Sequence, residues 1–201
     1  MSANSIAFNP FATTVAAGLF LTQAQGLVAG TFFDDPAIRY ELAGGVLASS
    51  ETLPMWGGVA LSESVPTSGF DPRGSQIARA TSEANHTGFS VFNQNGSAVS
   101  SPQSPVPQTL SGGQVNFLRL GSGAKLALAI DPSLVSDDGG LITQQLAWDF
   151  TNQKIIAYTA GTALPVRILS IQTSQVMTVA FDGVNAATWT RSGNAAAIVI
   201  I

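Results

Sequence analysis

The chain of 201 residues carries no cysteine, one histidine (His86), eight basic and twelve acidic side chains and a net charge of −4, set against 38 Ser and Thr, 20 Gly and a 45% hydrophobic content. Groups that usually carry proton transfer, metal ligation and redox chemistry are nearly missing, which argues against an enzyme and rules out a disulfide scaffold. The basic residues Arg39, Arg73, Arg79, Arg119, Lys125, Lys154, Arg167 and Arg191 are scattered, so no phosphate-binding stripe forms and nucleic acid is not expected as a partner.

Residues 1–30 read as an extended arm. Ser2 to Phe11 alternates polar and apolar residues around Pro10 and lacks helical periodicity, which marks Ile6, Phe8, Pro10 and Phe11 as candidate contact residues. Thr14 to Ala29 is small and aliphatic but broken by Gly18 and Gly26, each costing a helix about 1 kcal/mol relative to Ala, so strand or loop stands beside a short helix. Thr22, Gln23 and Gln25 interrupt the apolar run before it could span a bilayer, and Met1 to Asn9 has no basic region. A soluble product of the cytosol, with no membrane partner, is the expectation.

A β-rich module is expected over 31–104. Candidate strands are Ile38 to Leu42, Val46 to Ala48 and Trp56 to Leu61, with Gly44-Gly45 and Gly57-Gly58 as turns or bulges. Val65 to Gly74 is turn chemistry, and Ser75 to Ala84 is the best local helix candidate, with Ser75 as its cap. Ser100 to Gln108 holds three prolines, which remove backbone donors and exclude a central strand. It reads as a linker or exposed loop, placing a boundary near residue 105; the alternative is one domain over 31–201 with a Pro-rich loop at 100–108.

The segment 105–201 reads as a sandwich or barrel module. Gln114 to Leu120, Lys125 to Ile130, Leu141 to Asp149, Lys154 to Tyr158, Pro165 to Ile171, Val176 to Phe181, Ala187 to Arg191 and Ala196 to Ile201 are short strand candidates separated by Gly, Asn and Asp turns. The expected class is therefore mainly β, an antiparallel β-sandwich or barrel with an extended N-terminal arm and little helix. Ile198, Val199, Ile200 and Ile201 end the chain on an apolar run that must pair into a sheet, within the subunit or against a neighbour, and are the expected oligomer edge.

No motif carries catalysis or a cofactor. His86 would need Glu83 and Ser90 to converge on it to act as a base, and a surface-loop histidine is the preferred reading. Gly121-Ser122-Gly123 lacks the spacing of a phosphate loop and reads as a hairpin turn. Asp131, Asp137 and Asp138 fit no calcium-loop spacing, so no metal site is expected. Trp56, Trp148 and Trp189 are either sugar-stacking platforms or core anchors, and their apolar neighbours favour the core.

The whole profile resembles the head decoration, or cement, proteins of tailed bacteriophages: about 200 residues, cysteine-free, weakly acidic and rich in Gly, Ser, Thr and Ala, with an extended start and a β-rich second half. Leu146 to Gln153 leading to Ile155 to Tyr158, and Ala163 to Ile168, look like segments of phage virion proteins. The resemblance implies a non-catalytic structural protein without cofactors. It would be made in the host cytoplasm and sit on the capsid surface of the virion, where it bridges major capsid protein subunits, often as a trimer. A tail or receptor-binding virion protein, or a glycan-binding β-sandwich module, is the alternative.

Overall fold

The computed structural model describes residues 27–33, 39–66, 74–92, 99, 105–137, 144–173, 176–184, 186–190 and 194–201. Ile6, Phe8, Pro10 and Phe11 lie outside the described residues. The strands in chain order are β1 (Leu27–Val28), β2 (Phe32–Phe33), β3 (Ala43–Leu47), β4 (Ala60–Ser64), β5 (Ser75–Arg79), β6 (Gly88–Ser90) and β7 (Gln114–Arg119), followed by β8 (Lys125–Ile130), β9 (Leu146–Asp149), β10 (Lys154–Ala157), β11 (Arg167–Gln172), β12 (Val176–Phe181), β13 (Ala187–Thr190) and β14 (Ala195–Ile200). Helical geometry among the described residues is confined to three 3-10 turns, at Arg39–Glu41, Glu83–Asn85 and Pro132–Asp137. The protein is mainly β, as its turn-punctuated sequence requires.

Strands β3-β5-β4-β6-β7 close a five-stranded barrel. Closure leaves the barrel without free edges, which suits strands of only three to six residues. A second sheet runs β11-β14-β8-β10-β9, with β2 also paired to β8, and a third is β1-β12-β13. Most neighbours are antiparallel; β3 with β5, β1 with β12, and β8 with β10 are parallel.

Two cores follow from the alternation of side chains across each strand. Leu47, Leu61, Ile77, Val115 and Phe117 come from four barrel strands and gather with Met55, Trp56 and Val106. Their strand neighbours Ala60 and Leu118 face the other way and join Phe89, Leu126, Leu128, Trp148 and Ile155 in the core between barrel and six-stranded sheet. Fully burying each of the large side chains stabilises the fold by about 1.5–3 kcal/mol. The turn between β1 and β2 crosses this junction: Gly30 N donates to Ala127 O at 2.7 Å, and Phe92 N donates to Gly30 O at 3.0 Å. Gly30 has φ +94, and a Cβ there would stand 2.3 Å from Gly57 C and O, so only glycine lets the two backbones meet.

Several expectations are corrected. Ser75 to Ala84 is not a helix: Ser75–Arg79 is β5, pinned between β3 and β4, because Ile77 alone turns inward and its burial outweighs helix propensity. In the Ile38 to Leu42 candidate, Ile38 lies outside the described residues and Arg39–Glu41 forms a 3-10 turn, with β3 beginning at Ala43. The barrel closes with β7, so strands from both sides of residue 105 share it. The described end of the Pro-rich stretch is partly buried: Pro105 is exposed, but Val106 is fully buried, and Thr109 exchanges backbone hydrogen bonds with Met55 at 2.7 and 2.9 Å. Gly121-Ser122-Gly123 makes no hairpin, since β7 belongs to the barrel and β8 to the other sheet.

Ile198, Val199 and Ile200 are paired on both sides within the subunit. Their strand β14 lies between β11 and β8, and Ile201 N donates to Ala124 O at 3.0 Å while its carbonyl accepts from Gly123 N at 2.7 Å. An apolar strand gains most when both flanks are paired and both faces covered, and here that is achieved within the subunit.

Candidate functional site

A cavity of about 570 Å³ opens where the barrel, the β9–β10 hairpin and the β12–β13 hairpin meet. Trp56 and the Gly57-Gly58 turn reach it from the approach to β4, Arg79 from the end of β5, and Phe181 from the end of β12. Asn152 to Lys154, Asp182 and Asn194 contribute polar side chains to the wall.

Arg79 is the centre of this arrangement. Its guanidinium carbon lies 4.5 Å from the Trp56 ring centroid and 5.7 Å from that of Phe181, and the two rings are 5.1 Å apart. Stacking on an aromatic face uses the π-cloud and leaves the in-plane N–H donors of the fork for other partners. Nη2 donates to the Pro54 carbonyl. Burial draws the Arg79 pKa down to about 10, opposed by the charge of Glu51. The Glu51 carboxylate itself accepts from the main chain, from Arg79 N at 3.0 Å and Leu53 N at 3.2 Å.

The other wall is built by a tight turn. Gln153 adopts φ +53, and its buried side chain accepts from Ala60 N at 2.9 Å and donates to Phe150 O at 2.7 Å, tying the β9–β10 hairpin to the barrel. Asp149 accepts from Thr151 N and Asn152 N, both at 2.9 Å, and from Asn152 Nδ2 at 2.7 Å. Lys154 Nζ donates to Asp131 Oδ2 at 2.7 Å, which holds the Asp131 carboxyl well below the usual carboxylate range. Asp131 is therefore half of an ion pair, and no group of three or more His, Asp or Glu able to hold a metal occurs among the described residues.

His86 departs from the surface-loop expectation. Its ring meets Phe89 edge-on at 4.6 Å and Phe150 at 5.7 Å, with Trp148 at 6.4 Å, and Nε2 faces Gly88 O at 3.1 Å. Burial lowers its pKa to about 4, against the smaller pull of the Gly88 carbonyl and of Glu83. A neutral ring at pH 7 donates through Nε2–H to that carbonyl. Ser90 does not serve as its nucleophile: the hydroxyl is buried, donates to Trp56 O and accepts from Val59 N at 3.0 Å. The Ser–His–acid convergence weighed from sequence is not assembled.

Of the three tryptophans, Trp56 and Trp148 are buried, and Trp189 is partly buried with Phe92 at a ring distance of 5.5 Å. The core-anchor reading describes them. Sequence reasoning missed Arg79, whose only local signal was an isolated basic residue among Ala and Ile in a strand with one buried side. Comparison with protein families, with characterised proteins and with solved structures finds no match for this chain.

Proposed function

We propose that this chain is a structural virion protein that binds the outside of a phage capsid and stabilises the shell by bridging major capsid subunits, acting as a homotrimer made in the host cytoplasm. The observation that carries the reading is how the reactive groups are used. His86, Ser90, Asp131, Asp149 and Glu63 are each spent on internal contacts, while large apolar side chains stand exposed: Tyr40 at 91%, Val65 at 85% and Val184 at 66%. Reactive groups so committed support adhesion over turnover.

Its action is thermodynamic. A protein that binds only the completed lattice stabilises it by roughly RT ln(1 + [L]/Kd) per site, and many equivalent sites multiply the effect. The alternating segment at Ile6, Phe8, Pro10 and Phe11 is suited to adding main-chain and pocket contacts on a shell surface. The glycan-binding alternative loses support because Trp56 and Trp148 are occupied as core residues. A tail or receptor-binding location is distinguished by where labelled protein sits on the particle.

Sedimentation with phage heads tests the reading. The protein should pellet with filled heads and stay in the supernatant with unexpanded ones, and deletion of residues 1–12 should leave a folded chain with greatly reduced occupancy. Equal binding to both head forms, or none to either, refutes it.

A further inference from the structure

One cation of this molecule is short of acceptors. Arg79 Nε is shut off from water and has no hydrogen-bond partner among the described residues, and Asn194 Nδ2, on a residue lining the same cavity, is in the same state. Both atoms are donors. Buried donors without acceptors are rare in folded proteins and call for an explanation.

The carboxylates nearby are engaged: Glu51, whose charge acts on Arg79, accepts from Arg79 N at 3.0 Å and Leu53 N at 3.2 Å. Asp131 holds Lys154, Asp149 closes its own turn, and Asp182 Oδ1 accepts from Val184 N at 2.8 Å and Ala186 N at 3.0 Å. The wall therefore keeps two donors without acceptors, Arg79 Nε and Asn194 Nδ2, with the Trp56 and Phe181 rings flanking the guanidinium. We infer that this cavity is a carboxylate-binding site in which Arg79 and Asn194 receive an Asp or Glu side chain of the partner protein.

The chemistry favours that class. A planar fork matches a carboxylate in two parallel hydrogen bonds, and one unit of negative charge balances one guanidinium. A phosphate dianion would bring excess charge towards the carboxylates of Asp182 and Asp131. The cavity volume of about 570 Å³ admits the side chain with its flanking backbone. Because Nε and Nδ2 lie just beneath the wall, engagement requires the Arg79 guanidinium and the Asn194 amide to turn towards the lumen, which gives the site a spectroscopic signature.

The inference deepens the shell-binding reading by naming what the partner presents, and its test needs no capsid. The full-length, ¹⁵N-labelled protein is titrated with a capped Gly-Glu-Gly peptide and with its Gly-Gln-Gly isostere, following the Arg79 Nε–H and Asn194 Nδ2 signals. The Glu peptide should shift both saturably, with the Gln peptide at least about tenfold weaker. Arg79→Met should abolish the response and Asn194→Ala should weaken it severalfold, the second variant serving if the first fails to fold. A matching response to free acetate would support the site as one for small carboxylates; a response confined to the peptide supports a protein partner. Equal response to Glu and Gln peptides, no response to either at about 10 mM, or a Glu response that survives both substitutions overturns the proposal. A silent cavity would remove the site and leave shell binding to the sedimentation assay.

Discussion

Mild acid should destabilise this protein through His86, the one histidine of the chain. The ring sits among Phe89, Phe150 and Trp148, where an imidazolium would lose its hydration and gain little beyond the Gly88 carbonyl and the charge of Glu83. An unfolded histidine takes up its proton near pH 6.5, while the folded one resists until about pH 4. The stability held by the neutral ring is therefore full above pH 6.5 and is lost as pH falls towards 4. That gap is worth about 3 kcal/mol at roughly 1.4 kcal/mol per pH unit, a large share of the 5–15 kcal/mol typical of a domain. Asp131 and Glu63 add stability that is present above their ordinary carboxylate range and disappears only at lower pH, so the interval from 6.5 to 5 belongs to His86. Urea unfolding at pH 7.5, 6 and 5 reads the slope, and His86→Gln, which keeps a donor for the Gly88 carbonyl, should flatten it. Unfolding free energy that stays level from pH 7 to 5, or a ring that titrates near 6.5 by NMR, would refute the reasoning.

Two further substitutions probe the junction and the surface. Gly30→Ala places a Cβ 2.3 Å from the Gly57 backbone at φ +94, and with about 1–2 kcal/mol for the left-handed residue plus lost junction hydrogen bonds it should cost more than about 4 kcal/mol in denaturant unfolding. A loss below about 1 kcal/mol would mean the two backbones separate freely. Glu63→Gln breaks a bidentate pair with Arg119 at 2.7 and 2.8 Å, but the Arg119 side chain is 53% exposed, so the cost should stay within about 1 kcal/mol and shrink as salt is raised from low to physiological strength.

Much of the C-terminal half was legible because its signals are local. Lys125 to Ile130 and Val176 to Phe181 coincide with β8 and β12: each is a short, largely apolar run that stops at an Asp-led turn, Asp131-Pro132 or Asp182-Gly183. Asp182-Gly183 likewise opens the β12–β13 hairpin, held by Asp182 Oδ1 accepting from Val184 N. Where a partner far away in sequence decides, the local reading failed. Ser75 to Ala84 carries three alanines and a candidate capping serine, yet its Ser75–Arg79 part pairs with β3 on one side and β4 on the other. His86 lies in a turn rich in Asn, Thr and Gly, and its burial comes from Trp148 and Phe150, more than sixty residues later.

The sequence by itself determined the fold class: mainly β, with strands of a few residues between turns. Only the tertiary structure decided that β7 closes a barrel instead of pairing with β8, that β14 is sheet interior, and that Arg79 stacks on Trp56 beside a cavity. The physical reason is range. Turn chemistry and side-chain alternation act over two to four residues, whereas strand partnership and the burial of a charge depend on which distant surfaces close over them.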